Sequence, residues 1–100
     1  MYSIELMKMM RDLLNGNYDT NDFSFDFPDR LHEIYDEFLM ENKELCDYLE
    51  GEMPELCSWF DPYNTGDAGT LNEKEFKDKV SEIYQKALPM ILSIDTKLIS

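Results

Sequence analysis

Residues 23–38 read FSFDFPDRLHEIYDEF, and the fold turns on which period is taken from them. The first five alternate, Phe23-Ser24-Phe25-Asp26-Phe27, as a half-buried strand would. Over the whole stretch, Phe23, Phe27, Leu31, Ile34, Tyr35 and Phe38 recur every three or four residues, which is the helical period. The longer pattern predicts a helix, with a short strand as the competing reading of its first five residues. Asp19-Thr20-Asn21-Asp22 lies just before it and supplies capping residues. Pro28 has no amide hydrogen to donate, so a kink or a restart is expected there.

Toward the N-terminus the same period continues. Ile4, Met7, Met10 or Arg11, and Leu14 predict a helix over Ser3–Leu14, with Leu6 and Leu13 widening the stripe. Ser3 is the expected cap and Asn15-Gly16-Asn17 the stop. Toward the C-terminus, Leu45, Cys46, Leu49, Met53, Leu56, Cys57 and Phe60 predict a third helix over about residues 43–60. Gly51 and Pro54 weaken its middle, so it reads as one helix or as two shorter ones. Residues 61–69 are rich in turn formers. Asn72-Glu73-Lys74-Glu75 is a capping box with Asn as cap, and it opens a helix whose inward stripe is Phe76, Val80, Ile83, Tyr84 and Ala87. Pro89 is expected to interrupt that helix. The apolar tail after it either packs back or meets another chain. Beta signals are weak throughout. The expected architecture is all-α: one domain over residues 1–100, a compact four-helix bundle with helix two or three kinked or split, and residues 89–100 as an apolar extension.

Charge is the unusual feature. Against 9 Lys and Arg stand 22 Asp and Glu, a formal net of −13, while 43% of residues are hydrophobic. That apolar share is too high for a disordered acidic tail. Polyanions such as nucleic acid or an anionic membrane are disfavoured as direct ligands, and a basic protein is favoured. The charge is also localised. Residues 22–61 carry thirteen acids and only Arg30 and Lys43 as bases, a net of −11, which leaves −2 for the rest. Asp22, Asp26, Asp29, Glu33, and Asp36 or Glu37 recur at helical spacing, where like charges repel by a few tenths of a kcal/mol per pair. Two readings stand side by side: a solvated face tuned for solubility, or a binding surface for a basic protein.

No stretch reaches the roughly 18–20 apolar residues of a membrane span. The start of the chain has no basic region followed by an apolar run, and its two cysteines, Cys46 and Cys57, read as buried thiols. In one continuous helix their Cα atoms lie about 16 Å apart, too far for a disulfide. A cytoplasmic protein is the expectation.

Signals for chemistry are thin. His32 is the sole histidine, with no nucleophile placed beside it, and reads as a surface or boundary residue. The loop 61–75 fails as a calcium-binding EF-hand in both registers. From Asp61 the twelfth position is Asn72 rather than Glu, and from Asn64 the third and fifth are Gly66 and Ala68, which have no ligating side chain. Phosphate-binding glycine loops, HExxH and CxxC are absent from the sequence. The chain is therefore expected to be no enzyme and to hold no cofactor or metal.

Four features in order carry a family resemblance. They are Leu13-Leu14-Asn15-Gly16 followed by Asp19-Thr20-Asn21-Asp22-Phe23, the aromatic-rich second helix, Leu56-Cys57-Ser58-Trp59-Phe60-Asp61-Pro62, and the helix start at Leu71 to Val80. Over about residues 4–88 the chain resembles colicin D-type immunity proteins, with the related immunity proteins of contact-dependent growth inhibition. The resemblance implies a four-helix bundle that neutralises a cognate tRNA-cleaving toxin by plugging its basic active site with carboxylates. Carried over by motif, it puts Asp61 in contact with the toxin, Phe60 as packing anchor and Pro62 at the turn. Ser58 and Tyr63 depart from the pattern, standing where an acid would strengthen it, and Glu52 and Glu55 compensate. The toxin-binding set is thus Asp61, Glu55, Glu52, Phe60 and Tyr63, with Asp36 and Glu33 from the second helix. The alternatives are an acidic nucleic-acid mimic that inhibits a host DNA- or RNA-binding protein, and a calcium-responsive or structural adaptor.

Overall fold

A computed structural model of the chain describes residues 1–61 and 70–99, with side chains through residue 91. Five helices follow one another: α1 (Tyr2–Leu14), α2 (Thr20–Glu33), α3 (Tyr35–Glu41), α4 (Lys43–Trp59) and α5 (Glu73–Ile99). The all-helical expectation holds, and the count of four does not. Residues 23–27 are helical, so the strand reading of the opening stretch falls away.

The fifth helix arises from a break that the local sequence does not mark. α2 runs through Pro28 and stops at Ile34, whose φ of −101° and ψ of 9° leave the helical region. Hydrogen bonding bridges the break: the Ile34 amide donates to the Arg30 carbonyl and the Phe38 amide to the Ile34 carbonyl. The apolar stripe of the single expected helix survives it, because Phe23, Phe27, Leu31, Ile34 and Phe38 are all buried.

Pro28, Pro54 and Pro89 all lie inside helices, so the chain neither restarts at Pro28, divides at Pro54 nor stops at Pro89, and the expected split of helix two falls at Ile34 instead. An interior proline costs a helix about 3 kcal/mol or more. Burial outweighs that cost. Phe27 and Leu31 flank Pro28, Met53 and Leu56 flank Pro54, and all four are buried. Each fully buried large apolar side chain contributes roughly 1.5–3 kcal/mol. After Pro89, Met90 and Ile91 are partly buried against the core, and the helix continues to Ile99.

α1 begins one residue before its expected cap. Ser3 is buried inside the helix, and the cap comes from far along the chain. Glu41, at the end of α3, accepts from the Tyr2 amide at 3.2 Å, the Ser3 amide at 2.9 Å and the Ser3 hydroxyl at 2.7 Å. The break at Ile34 positions α3 against α1 for this contact. The buried stripe of α1 is Leu6, Met7, Met10 and Leu13, while Ile4 is 56% exposed. Gly16 takes φ +80° and ends the helix, with the Asn17 amide donating back to the Asp12 carbonyl at 2.8 Å.

The caps at Asp19 and Asn72 match the sequence signals, and Asn42 adds one that those signals did not include. The Asp19 carboxylate accepts from the Asp22 amide at 3.0 Å, and the Asn42 side chain accepts from the Leu45 amide at 3.1 Å. Asn72 and Glu75 exchange reciprocal bonds of 2.8 and 3.1 Å, the capping box of α5.

One hydrophobic cluster draws buried residues from all five helices. At its centre Phe23 meets Phe27 at 5.1 Å and Phe76 at 6.1 Å between ring centroids, and Phe76 meets Phe60 at 5.0 Å. These joints fasten α2 to α5 and to the end of α4. α1 packs on α2, α3 and α5, and α4 packs on the same three helices.

Candidate functional site

The outer faces of α2, α3 and α4 carry the localised charge. On α4 the apolar stripe Leu45, Cys46, Leu49, Met53, Leu56 and Cys57 turns inward, so the remaining positions face water. Five of these are acids: Glu44, Asp47, Glu50, Glu52 and Glu55, all exposed. Asp47 pairs with Lys43 at 2.6 Å. Among the described residues, the other four have no Lys or Arg within ion-pair distance. The same holds for the exposed Asp22, Asp29, Asp36 and Glu37.

Other acids of the segment serve the fold. Glu41 caps α1. Asp26 accepts from the Tyr18 hydroxyl at 2.6 Å, and burial together with that carboxylate pushes the Tyr18 phenol up to about 12. Arg30 joins α2 to α1, holding Glu5 through both carboxylate oxygens and Glu33 at 2.9 Å. The hydrogen bond from Arg30 holds the Glu5 carboxyl below its ordinary range.

The expected site residues do not share one groove. Glu52 and Glu55 line a groove between α4 and α5 with Tyr48, Trp59, Lys79 and Lys86. Glu33 lies in another, between α1 and α2, with Glu5 and Arg30. Asp36 is exposed on α3. Phe60 and Asp61 line a cavity of about 510 Å³ at the end of the molecule, between the starts of α2 and α5. There the chain is clamped: the Asp61 amide donates to the Leu71 carbonyl at 2.9 Å, and the Leu71 amide to the Trp59 carbonyl at 2.8 Å. Tyr63, Pro62 and most of the loop tested for calcium lie outside the described residues.

Comparison with known protein families, characterised proteins and solved structures finds no match.

What the surface offers chemically is charge and hydrogen-bond acceptance. Both cysteines are buried free thiols, and burial pushes Cys57 up to about 12, so it stays protonated and unreactive at neutral pH. Among the described residues no group of three or more His, Cys, Asp and Glu is placed to hold a metal, and no helix is long and apolar enough to cross a membrane. His32 is exposed, at a groove between α2 and α4 beside Tyr35 and Glu50. The motif resemblance points to Glu52 and Glu55 on α4, and Glu44 and Glu50 are exposed on the same helix. Counting the whole solvent arc of the helix, rather than its last two turns, finds all four.

Proposed function

We propose that this chain is an immunity protein. In this reading it binds a basic nuclease toxin, of the tRNA-cleaving class implied by its resemblance, and neutralises it by occupying the active site with carboxylates. It acts by occupancy, without catalysis and without a cofactor. The observation that supports this is the run of unpaired exposed acids on α4, continued by Asp29, Asp36 and Glu37 on α2 and α3. Helices selected for stability alone would intersperse lysines among such acids. A concentrated negative field instead accelerates encounter with a basic partner and rejects polyanions. The four-helix bundle of the family corresponds here to a chain in which α2 and α3, split at Ile34, follow the apolar stripe of one longer helix.

The test is inhibition of the nuclease encoded beside this chain's own reading frame. The wild-type chain should block tRNA cleavage at a one-to-one ratio. Glu52→Lys with Glu55→Lys should weaken inhibition by more than roughly tenfold, since charges in such interfaces set on-rate and, when desolvated, several kcal/mol of affinity. Asp78→Lys, a charge reversal of the same sign on α5, should leave inhibition intact. Equal losses from the two changes would mean that net charge, and no particular surface, is recognised.

A further inference from the structure

Resting on that reading, we infer where the partner seats: a proline-floored groove between α2 and α4. Two adjoining cavities, of about 370 and 210 Å³, are both lined by Pro28 and Pro54, so the two prolines stand together in one continuous groove. Phe25, 65% exposed, lines one end, and Tyr35 with Glu50 lines the other.

Three observations separate this groove from the rest of the surface. The first is charge. Among the described residues no Lys or Arg lines either half, whereas Lys74, Arg30, and the pair Lys79 and Lys86 line the cavities elsewhere. The second is Phe25, more exposed than Trp59 in the α4–α5 groove, at a position where a polar residue would serve folding equally well.

The third is the backbone. Pro28 and Pro54 have no amide hydrogen, so the carbonyls of Ser24 and Glu50 lose the donor that the next helical turn supplies. Ser24 lines one half of the groove and Glu50 the other. The two helices thus present acceptors that an uninterrupted helix would consume. The Ser24 and Ser58 hydroxyls supply no donor to them, since they donate to the Asn21 and Glu55 carbonyls at 2.7 and 2.6 Å.

An apolar floor, two carbonyls without their helical donor and the Glu50 carboxylate, with no Lys or Arg among the described lining residues, fit one kind of occupant. It is a segment of a basic protein that lays an apolar side chain over Pro28 and Pro54 and donates from flanking arginines to the Ser24 and Glu50 carbonyls and the Glu50 carboxylate.

The experiment titrates the full ¹⁵N-labelled chain with three short peptides while amide resonances are followed. One alternates arginine with leucine, one arginine with serine, and one glutamate with leucine. The arginine–leucine peptide should move amides of Ser24–His32 and Glu50–Phe60. The arginine–serine peptide should move the same amides more weakly, and the glutamate–leucine peptide should move none. Pro28→Ala with Pro54→Ala restores both amide donors. It should raise the melting temperature and weaken arginine–leucine binding roughly threefold to tenfold, the scale of one or two hydrogen bonds. Opposite signs for stability and binding distinguish a ligand role from a structural one, and unchanged binding overturns the inference. So do shifts centred on the α4–α5 groove, or equal shifts with the serine and leucine peptides, while both leave the acidic-surface reading standing. No shift with either arginine peptide overturns that reading as well.

Discussion

α4 and α5 pack against each other over one core yet treat their outer faces differently. α5 intersperses charge: Lys77 pairs with Glu73 at 3.4 Å and Lys79 with Glu82 at 3.7 Å. Among the described residues α4 has the single pair Lys43–Asp47 and leaves Glu44, Glu50, Glu52 and Glu55 without one. Inward, both show the same periodic apolar stripe. The inner face answers to packing, and the outer face is free to answer to something else.

The comparison requires one core beneath both faces, and Phe76 tests it with the largest expected effect. It is fully buried on α5 and meets Phe23 of α2 and Phe60 after α4. Phe76→Ala should cost about 3–5 kcal/mol, a large share of the 5–15 kcal/mol of a typical domain. Urea unfolding should show one transition at a lower midpoint. Two separate transitions would break the comparison, since the faces would then belong to independent units.

Glu41 sharpens it at intermediate size. It belongs to the acid-rich segment by sequence and to the fold by contact, because it caps α1. Glu41→Ala should destabilise by about 1–2 kcal/mol in urea unfolding, the scale of a lost cap. It should leave nuclease inhibition unchanged once the chain is folded. A neutral or stabilising outcome would remove the distinction between structural and surface acids.

The smallest effect carries the opposite sign on the two faces. Glu50→Lys places a cation three residues from Asp47 and should raise stability by a few tenths of a kcal/mol. Lys79→Glu on α5 removes the pair with Glu82 and should lower stability by a similar amount. Both differences should shrink in about 0.5 M salt, where screening shortens the reach of surface charge to a few ångströms. Matching signs would mean that α4 is no less optimised than α5.

How much was legible in the sequence follows from the range of each interaction. The capping pairs Asp19–Asp22 and Asn72–Glu75 span three residues, and the sequence alone locates both. The buried stripes of α2, α4 and α5 follow from periodicity, and so do the solvent-facing acids of α4. The expected α1 stripe contains all four apolar residues that the helix buries, Leu6, Met7, Met10 and Leu13, and errs at Ile4, because a Met-rich helix offers a wide apolar face and only the neighbouring helices choose its edge. The prolines misled because their penalty is local and fixed, while the burial that outweighs it comes from residues on other helices.

The sequence by itself therefore determined the helical class, most helix ends and the acidic character of residues 22–61, since each rests on spacing along one strand of chain. Tertiary structure alone decided the break at Ile34, the cap that Glu41 places on α1 across 38 residues, and the meeting of Pro28 with Pro54. It also decided that Glu33, Glu55 and Asp61 would open onto three different grooves. Each of these depends on which helix lies against which, and one-dimensional spacing holds no information on that.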